Sequence, residues 1–190
     1  MSTQPVLQVR NLRVSYPNRE GVYSEVVKGL TFALGHERLG IVGESGSGKS
    51  QTGRAILGLS AAGARVSADC LEFKGTNLLH CSPAERRKLR GGQIAMVLQD
   101  PKFSLNPVMT IGAQIVESLR AHTPVGRAQA RAAALEALAS VQIDNPERVF
   151  KLYPHEVSGG MGQRAMIAMM LIAKPELLIA LAVLDTPGAL

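Results

Sequence analysis

The stretch that decides the fold is Gly43-Glu44-Ser45-Gly46-Ser47-Gly48-Lys49-Ser50. It matches the phosphate-binding loop pattern G-x-x-x-x-G-K-[S/T], whose glycines let successive backbone N–H groups point at the phosphates of a nucleotide. In this pattern the lysine reaches the β- and γ-phosphates, and the hydroxyl after it ligates Mg²⁺. The pattern therefore predicts a site for ATP or GTP, in which Lys49 meets the phosphates and Ser50 meets the metal ion.

The residues on either side of the loop suit a strand–loop–helix unit. Leu39, Ile41 and Val42 predict an apolar strand that ends at Gly43, and residues 52–59 can continue as a helix. A helix that begins here turns its free N–H groups and its positive dipole end towards the phosphates. This context favours a nucleotide site over the alternative of a plain glycine-rich turn.

Strand-like and helix-like apolar patterns alternate along the rest of the chain. Residues 7–16, with a bulge or break near Asn11, and residues 26–34 predict an antiparallel β layer. Further strands are predicted over residues 66–73, 94–98 and 177–184, and helices over residues 82–90, 111–119, 126–141 and 159–173. Such alternation is typical of an α/β domain with a largely parallel sheet.

Composition narrows the class of protein. Of the 190 residues, 46% are hydrophobic and 19% are charged, as in a globular domain with a proper core. The net charge of +6 would suit nucleic acid or an anionic membrane surface, but the basic residues are scattered and only 4% of the residues are aromatic. The single basic cluster, residues 85–90, is better explained as a solvated helix face, so we expect no nucleic-acid partner.

Cysteine usage and hydropathy bear on the cellular setting. Cys70 and Cys81 fit neither a disulfide framework nor a metal knuckle, which favours a reducing cytosol. Residues 1–5 lack the build of a signal peptide, and the longest apolar run, residues 165–173, is shorter than the ~20 residues of a membrane span. The sequence therefore predicts a chain that does not cross a membrane by itself.

A second glycine-rich helix start, Ser158-Gly159-Gly160, lies within residues 155–164. It offers free N–H groups to an anion, although a plain N-cap explains these three residues equally well on their own. Gln99 ends the predicted strand over residues 94–98 and precedes Asp100-Pro101. The phosphate loop, Gln99 and Ser158-Gly159-Gly160 follow one another along the chain, and together they are a more specific signal than any one of them alone.

The order and spacing of four stretches resemble the nucleotide-binding subunits of ABC transporters, and more narrowly the ATPase subunits of bacterial dipeptide, oligopeptide and nickel importers. The stretches are residues 40–50, residues 99–107 (Gln99-Asp100-Pro101, then Ser104-Leu105-Asn106-Pro107), Tyr153-Pro154-His155-Glu156, and Ser158-Gly159-Gly160-Met161. The resemblance extends to about Ala180. It implies one ABC-type domain over residues 1–190, with a phosphate-loop NTPase core, an N-terminal antiparallel β layer and a helical subdomain at about residues 100–160.

The resemblance also implies roles for particular residues. The loop residues that would hold ATP are Gly43, Ser45, Gly46, Ser47, Gly48, Lys49, Ser50 and Gln51. Tyr16 corresponds to the aromatic that stacks on adenine, with core packing as the alternative. Gln99 corresponds to the glutamine that contacts Mg²⁺ and the attacking water, and is thus a candidate catalytic residue and, with Ser50, a metal ligand. Ser158, Gly159 and Gly160 would hold the γ-phosphate of ATP on a second subunit, in a head-to-tail homo- or heterodimer.

The chain departs from the family pattern in two places. Gly162 stands where the subfamily usually has arginine, so a charge is missing from a helix start. The family's Asp-Glu pair, which holds Mg²⁺ through water and polarises the attacking water, would stand at Leu181 and Ala182, and neither side chain can do this. Asp185 follows four residues late, roughly 13 Å along a strand. The region of the family's switch histidine is also absent, so we expect the C-terminal part of the domain to be missing.

The resemblance implies a peripheral ATP-binding subunit on the cytoplasmic face of the plasma (inner) membrane. It would power import of a small solute, a di- or oligopeptide or nickel, with permease subunits and, indirectly, a solute-binding protein. Three alternatives remain: a truncated or frame-shifted chain with an unrelated tail from about Leu181, a degenerate subunit whose partner hydrolyses ATP, and an ABC-type ATPase or nucleotide-binding regulator outside transport. We expect hydrolysis by this chain alone to be very slow or absent.

Overall fold

The computed structural model describes residues 5–44, 46–97 and 105–181. Its strands are β1 (Leu7–Pro17), β2 (Tyr23–Leu34), β3 (Arg65–Ser67), β4 (Cys70–Phe73), β5 (Thr76–Asn77), β6 (Ile94–Val97) and β7 (Leu177–Ala180). Its α-helices are α1 (Lys49–Leu57), α2 (Pro83–Leu89), α3 (Ile111–Arg120), α4 (Arg127–Ser140), α5 (Pro146–Lys151) and α6 (Gly159–Leu171). The chain divides into two compact units, Met1–Arg87 and Lys88–Leu190.

The first unit is built on a five-stranded antiparallel sheet. Its strands lie in the order β2-β1-β4-β5, and β3 pairs with the far part of β1. On each side of Asn11, alternate residues of β1 are buried, as period two requires. The buried core of this unit includes residues of β1 and β4: Leu7, Val9, Leu12, Val14, Leu71 and Phe73. The predicted antiparallel β layer is therefore confirmed.

The pairing of β1 with β2 is interrupted by three register shifts. One lies at Asn11, whose φ of 52° marks the bulge that the sequence predicts. Another leaves Val26 without a partner on β1, because Val14 pairs with Val27 and Ser15 pairs with Glu25. Val26 is therefore the extra residue of a bulge, which bends the strand locally.

The second unit is mainly helical. Helices α3 to α6 enclose one apolar core that includes Ile111, Ile115, Leu138, Ala165 and Ala168. The period of Ile111, Ile115 and Leu119 matches α3, and α4 and α6 begin and end within two residues of their predicted bounds. Strands β6 and β7 form a parallel pair in this unit. In the part of the chain that the structure describes, no helix is long and apolar enough to cross a membrane.

The structure corrects three predictions. The strand predicted over residues 39–42 does not form, and its apolar side chains are exposed: Leu39 by 47%, Ile41 by 41% and Val42 by 79%. A strand needs a neighbour for its N–H and C=O groups, and no described strand pairs with these residues. The described sheets are mostly antiparallel rather than parallel: β6 and β7 form a parallel pair of strands, and Arg90 and Ile94 form an isolated parallel bridge. The strand predicted over residues 66–73 is split, because Ser67 ends β3 and Cys70 begins β4.

Candidate nucleotide site

The phosphate loop bends through two left-handed glycines. Gly46 has a φ of 85° and Gly48 a φ of 88°, a region that residues with a Cβ rarely adopt. Between them, the Ser47 N–H donates to the carbonyl of Glu44 at 3.2 Å and closes a turn. Ser45, a predicted phosphate ligand, lies outside the described residues.

The two glycines are required for different reasons. A Cβ on Gly46 would meet nothing within 4 Å, whereas one on Gly48 would lie 2.4 Å from the carbonyl oxygen of Val26 and 3.0 Å from Val27 Cγ2. Val26 lies in β2, as the extra residue of its bulge, and its carbonyl is therefore a backbone atom of the sheet. The loop is thus pressed against the sheet at Gly48, and only glycine fits there.

Lys49 is folded over the loop. Its ammonium donates to the carbonyl oxygens of Gly43 and Glu44, the latter at 2.7 Å, and to Ser47 Oγ at 3.3 Å. The side chain is half-buried. These contacts keep a positive charge within the curve of the loop, the place that the phosphate-loop pattern assigns to it.

The start of α1 leaves backbone donors unused. The first helical bond runs from Thr52 N to Gly48 O at 2.9 Å, and the Thr52 hydroxyl also donates to this carbonyl at 3.1 Å. The N–H groups of Lys49, Ser50 and Gln51 have no acceptor among the described residues, and the first turn holds no acidic residue. These donors, the lysine charge and the helix dipole fit a polyphosphate, and the exposed Ser50 hydroxyl is open to a divalent cation.

Two residues assigned to nucleotide binding are in direct contact. The hydroxyl of Tyr16, at the end of β1, donates to Oε1 of Gln51 at 2.6 Å. The structure therefore brings Tyr16, the residue predicted to stack on the nucleotide base and called the base platform below, to the helix that begins at the phosphate loop. The sequence predicts neither this hydrogen bond nor the close approach of Gly48 to the carbonyl of Val26, because both depend on the packing of β1 and β2 against α1.

The second glycine-rich helix start lies in the other unit. The Ser158 side chain caps α6 by accepting from Met161 N at 3.3 Å, so the plain N-cap interpretation is correct for the chain by itself. Gly159 and Gly160 are exposed, and a Cβ on either would meet nothing within 4 Å. Gly162 is buried in the first turn. The surface at the start of α6 is open.

The expected carboxylate site lies at the end of β7. Leu181 continues the pairing with β6, since its N–H donates to Val97 O at 3.0 Å. Gln99 and Ala182 lie outside the described residues, as does Asp185. Within the described ranges, no group of three or more His, Cys, Asp or Glu residues is placed to hold a metal ion.

Comparisons with known proteins identify the family of the chain. The family model described as ABC transporter matches residues 27–185. The chain is 49% identical over 177 residues to the probable peptide ABC transporter ATP-binding protein y4tR of Sinorhizobium fredii, covering 92% of this chain and 52% of that protein. It is 45% identical over 176 residues to the oligopeptide transport ATP-binding protein OppD of Escherichia coli, with the same shares. The chain thus spans about half the length of the curated relatives it matches.

The fold is also found in solved structures. The ATP-binding cassette MJ0796, solved as a dimer in a post-hydrolysis state bound to ADP and Pi, superposes with a TM-score of 0.81 at 24% identity, covering 92% of this chain and 72% of that chain. A second match is cbiO1 from Clostridium perfringens, part of the ABC transporter complex cbiONQ, with a TM-score of 0.72 at 23% identity, covering 93% of this chain and 65% of that chain. At these identities the likeness is one of fold. The phosphate loop, the helix start at Ser158 and the matching family model agree: the chain belongs to the ABC transporter family.

Proposed function

We propose that this chain is an ATP-binding subunit that powers ABC-type import of a small solute, most simply a di- or oligopeptide. The observation that carries the proposal is the phosphate loop, where Lys49 and the unused N–H groups at the start of α1 converge. The names of the relatives, which are peptide, oligopeptide and dipeptide transport proteins, support the choice of solute over nickel.

The nucleotide is ATP with Mg²⁺. Lys49 and the N–H groups of α1 bind and orient the phosphates, and the Ser50 hydroxyl provides an oxygen ligand for the ion. When bound beside Ser50, Mg²⁺ would supply positive charge that offsets the negative charge of the phosphates. Gln99, the proposed second ligand and water-orienting residue, is assigned by its place after β6 in the sequence. Tyr16 offers its ring to the base.

A second ATP-binding subunit completes the site. The exposed start of α6 at Ser158, Gly159 and Gly160 would meet the γ-phosphate of ATP on a partner subunit, in a homo- or heterodimer. The dimeric state of the MJ0796 cassette supports this arrangement. We further propose that the dimer works at the cytoplasmic face of the inner membrane, bound to permease subunits and served indirectly by a solute-binding protein.

One observation favours a second candidate, a nucleotide-binding subunit that hydrolyses ATP very slowly. Leu181 extends the β6–β7 ladder at the position where the family's Mg²⁺-supporting aspartate is expected. An aliphatic side chain there cannot hold water on Mg²⁺. Ala182 stands where the family's water-polarising glutamate is expected, and loss of such general-base assistance typically lowers a rate by ~10²–10⁴. In this case the partner subunit would carry out hydrolysis.

Nucleotide binding is tested with fluorescent ATP and Mg²⁺ on the full chain. Lys49→Ala removes the ammonium, and we expect at least a tenfold weaker Kd, since a hydrogen bond to a charged group contributes about 1.5–3 kcal/mol. The matched control is Lys28→Ala, which removes an exposed lysine from β2 of the same unit and leaves affinity unchanged. Equal binding by wild type and Lys49→Ala would contradict the site.

Hydrolysis by the purified chain alone tests the slow-subunit candidate. Phosphate release by the purified chain is measured with Lys49→Ala as the blank. We expect a rate far below about 1 s⁻¹, the low end of ordinary enzymes. A rate near that value, abolished by Lys49→Ala, would reject the slow-subunit candidate and show that another group replaces the missing carboxylates.

Docking to the membrane is tested by co-purification with permease subunits. Replacement of residues 99–107 by a Gly-Ser segment of equal length should abolish co-purification, because the importer-like segment lies there. The control replaces residues 18–22, a turn in the other unit. If both replacements leave co-purification intact, the docking assignment is wrong.

A further inference from the structure

One hydrogen bond joins the base platform to the phosphate loop. Tyr16 is the penultimate residue of β1, and Gln51 lies in the first turn of α1, two residues after Lys49. Their side chains are half-buried, and Tyr16 Oη lies 2.6 Å from Gln51 Oε1. No other polar contact of either side chain occurs among the described residues.

We propose that Gln51 is a positioning residue that holds the Tyr16 ring at a fixed place relative to the phosphate loop. The site then recognises a base and its triphosphate as one ligand of defined length. This inference rests on the nucleotide-binding function proposed above and deepens it.

The hydroxyl is not needed for stacking. A ring stacks through its face, so phenylalanine would serve a base as well as tyrosine does. The backbone of Tyr16 is fixed by its pairing with Ser24, but the ring can still turn about its two side-chain torsions. The bond to Gln51 restrains these torsions before the nucleotide arrives, which lowers the cost of ordering the ring on binding.

The direction of the hydrogen bond also fixes which end of the Gln51 side-chain amide faces Tyr16. Since the tyrosine hydroxyl donates to Oε1, the amide nitrogen Nε2 keeps both N–H groups, and neither has an acceptor among the described residues. The backbone N–H of Gln51 is likewise unused in the part of the chain that the structure describes. The backbone N–H of Gln51, which does not depend on the Tyr16 hydroxyl, is thus the donor that Gln51 offers to the phosphates, while its side-chain acceptor is taken by the base platform.

A ligand without a base separates this role from a general loss of stability. The test titrates full-length wild type, Tyr16→Phe, Gln51→Met and the double variant with ATP, each with Mg²⁺, and titrates wild type and Tyr16→Phe with inorganic tripolyphosphate. We expect each single variant to bind ATP about two- to tenfold more weakly, the range for loss of one neutral hydrogen bond. The double variant should be no weaker than the weaker single variant, because both changes break the same bond.

Tripolyphosphate affinity should be the same for wild type and Tyr16→Phe, since that ligand does not use the ring. The matched control is Tyr23→Phe, the same chemical change on β2, which should leave ATP affinity unchanged. As a second measurement, ¹⁹F NMR of fluorotyrosine-labelled chain follows the three tyrosines separately. The resonance lost in Tyr16→Phe should be the one that moves in Gln51→Met.

Three results would overturn the proposal: unchanged ATP affinity in Tyr16→Phe, an additive loss in the double variant, or an equal loss for tripolyphosphate. These differ from failure of the proposed function. If ATP binding depends on Lys49 but not on the Tyr16 hydroxyl, only the positioning role fails. If wild type binds neither ligand, or Lys49→Ala binds both as tightly, the nucleotide site fails and this inference fails with it.

Discussion

Replacement of Gly48 by alanine tests the contact between the phosphate loop and the sheet. The φ of 88° alone costs an L-residue about 1–2 kcal/mol. The added Cβ would also lie 2.4 Å from Val26 O, a strand carbonyl that cannot turn away as a flexible side chain does. Overpacking of this kind costs about 1–3 kcal/mol. We therefore expect Gly48→Ala to lower the free energy of unfolding by about 2–5 kcal/mol.

Gly46→Ala is the matched control. Its φ of 85° is nearly the same, but the space around its Cβ is open. We expect a loss of only about 1–2 kcal/mol. Urea unfolding followed by circular dichroism measures both variants, and fluorescent-ATP titration compares their sites. If the two alanine variants lose equal stability, the contact with Val26 does not support the loop and the reasoning fails.

Two further substitutions test a hydrogen bond at the start of α1 and the packing of α3. Thr52→Val removes the buried hydroxyl that donates to Gly48 O. In urea unfolding it should lower the free energy of unfolding by about 0.5–1.5 kcal/mol. An unchanged midpoint would mean that the hydrogen bond contributes nothing. Gly112→Ala places a Cβ 2.2 Å from Cγ of Phe150, so it should destabilise the chain despite the gain of about 1 kcal/mol in helix propensity. In a Phe150→Ala background, which removes Cγ and the ring, the same change should stabilise; destabilisation there would refute the role of Phe150.

Local chemistry explains which elements can be predicted from the sequence. The bulge near Asn11 follows from a break in period two, and α2 follows from Ser82 and Glu85, whose side chains and N–H groups form the expected capping box. Both signals lie within a few adjacent residues. The 3-10 helix Pro154–Glu156 and α5 are too short, at three and six residues, to show a period. For α5 the signal that could have revealed it is local as well, because Asn145 caps the helix and Pro146 begins it.

The strand before the phosphate loop could not be judged from its residues alone. Leu39, Ile41 and Val42 have the right composition, yet a strand exists only where a neighbour accepts and donates its backbone hydrogen bonds. The sequence does not say which residues lie beside this segment. Site residues show the same limit. The phosphate-loop motif predicts Lys49 and the family resemblance adds Gln51, whereas their contacts with Gly43 and Tyr16 come from the folded chain.

The bulge at Val26 connects the register of the sheet to the phosphate loop. Val26 has no partner on β1, and its carbonyl is the strand atom that Gly48 approaches. Tyr16, on the neighbouring strand, is bonded to the first turn of the same helix. The two contacts hold the loop and the start of α1 from the same pair of strands. The geometry of the phosphate loop is therefore set as much by the pairing of β1 with β2 as by the glycines of the motif.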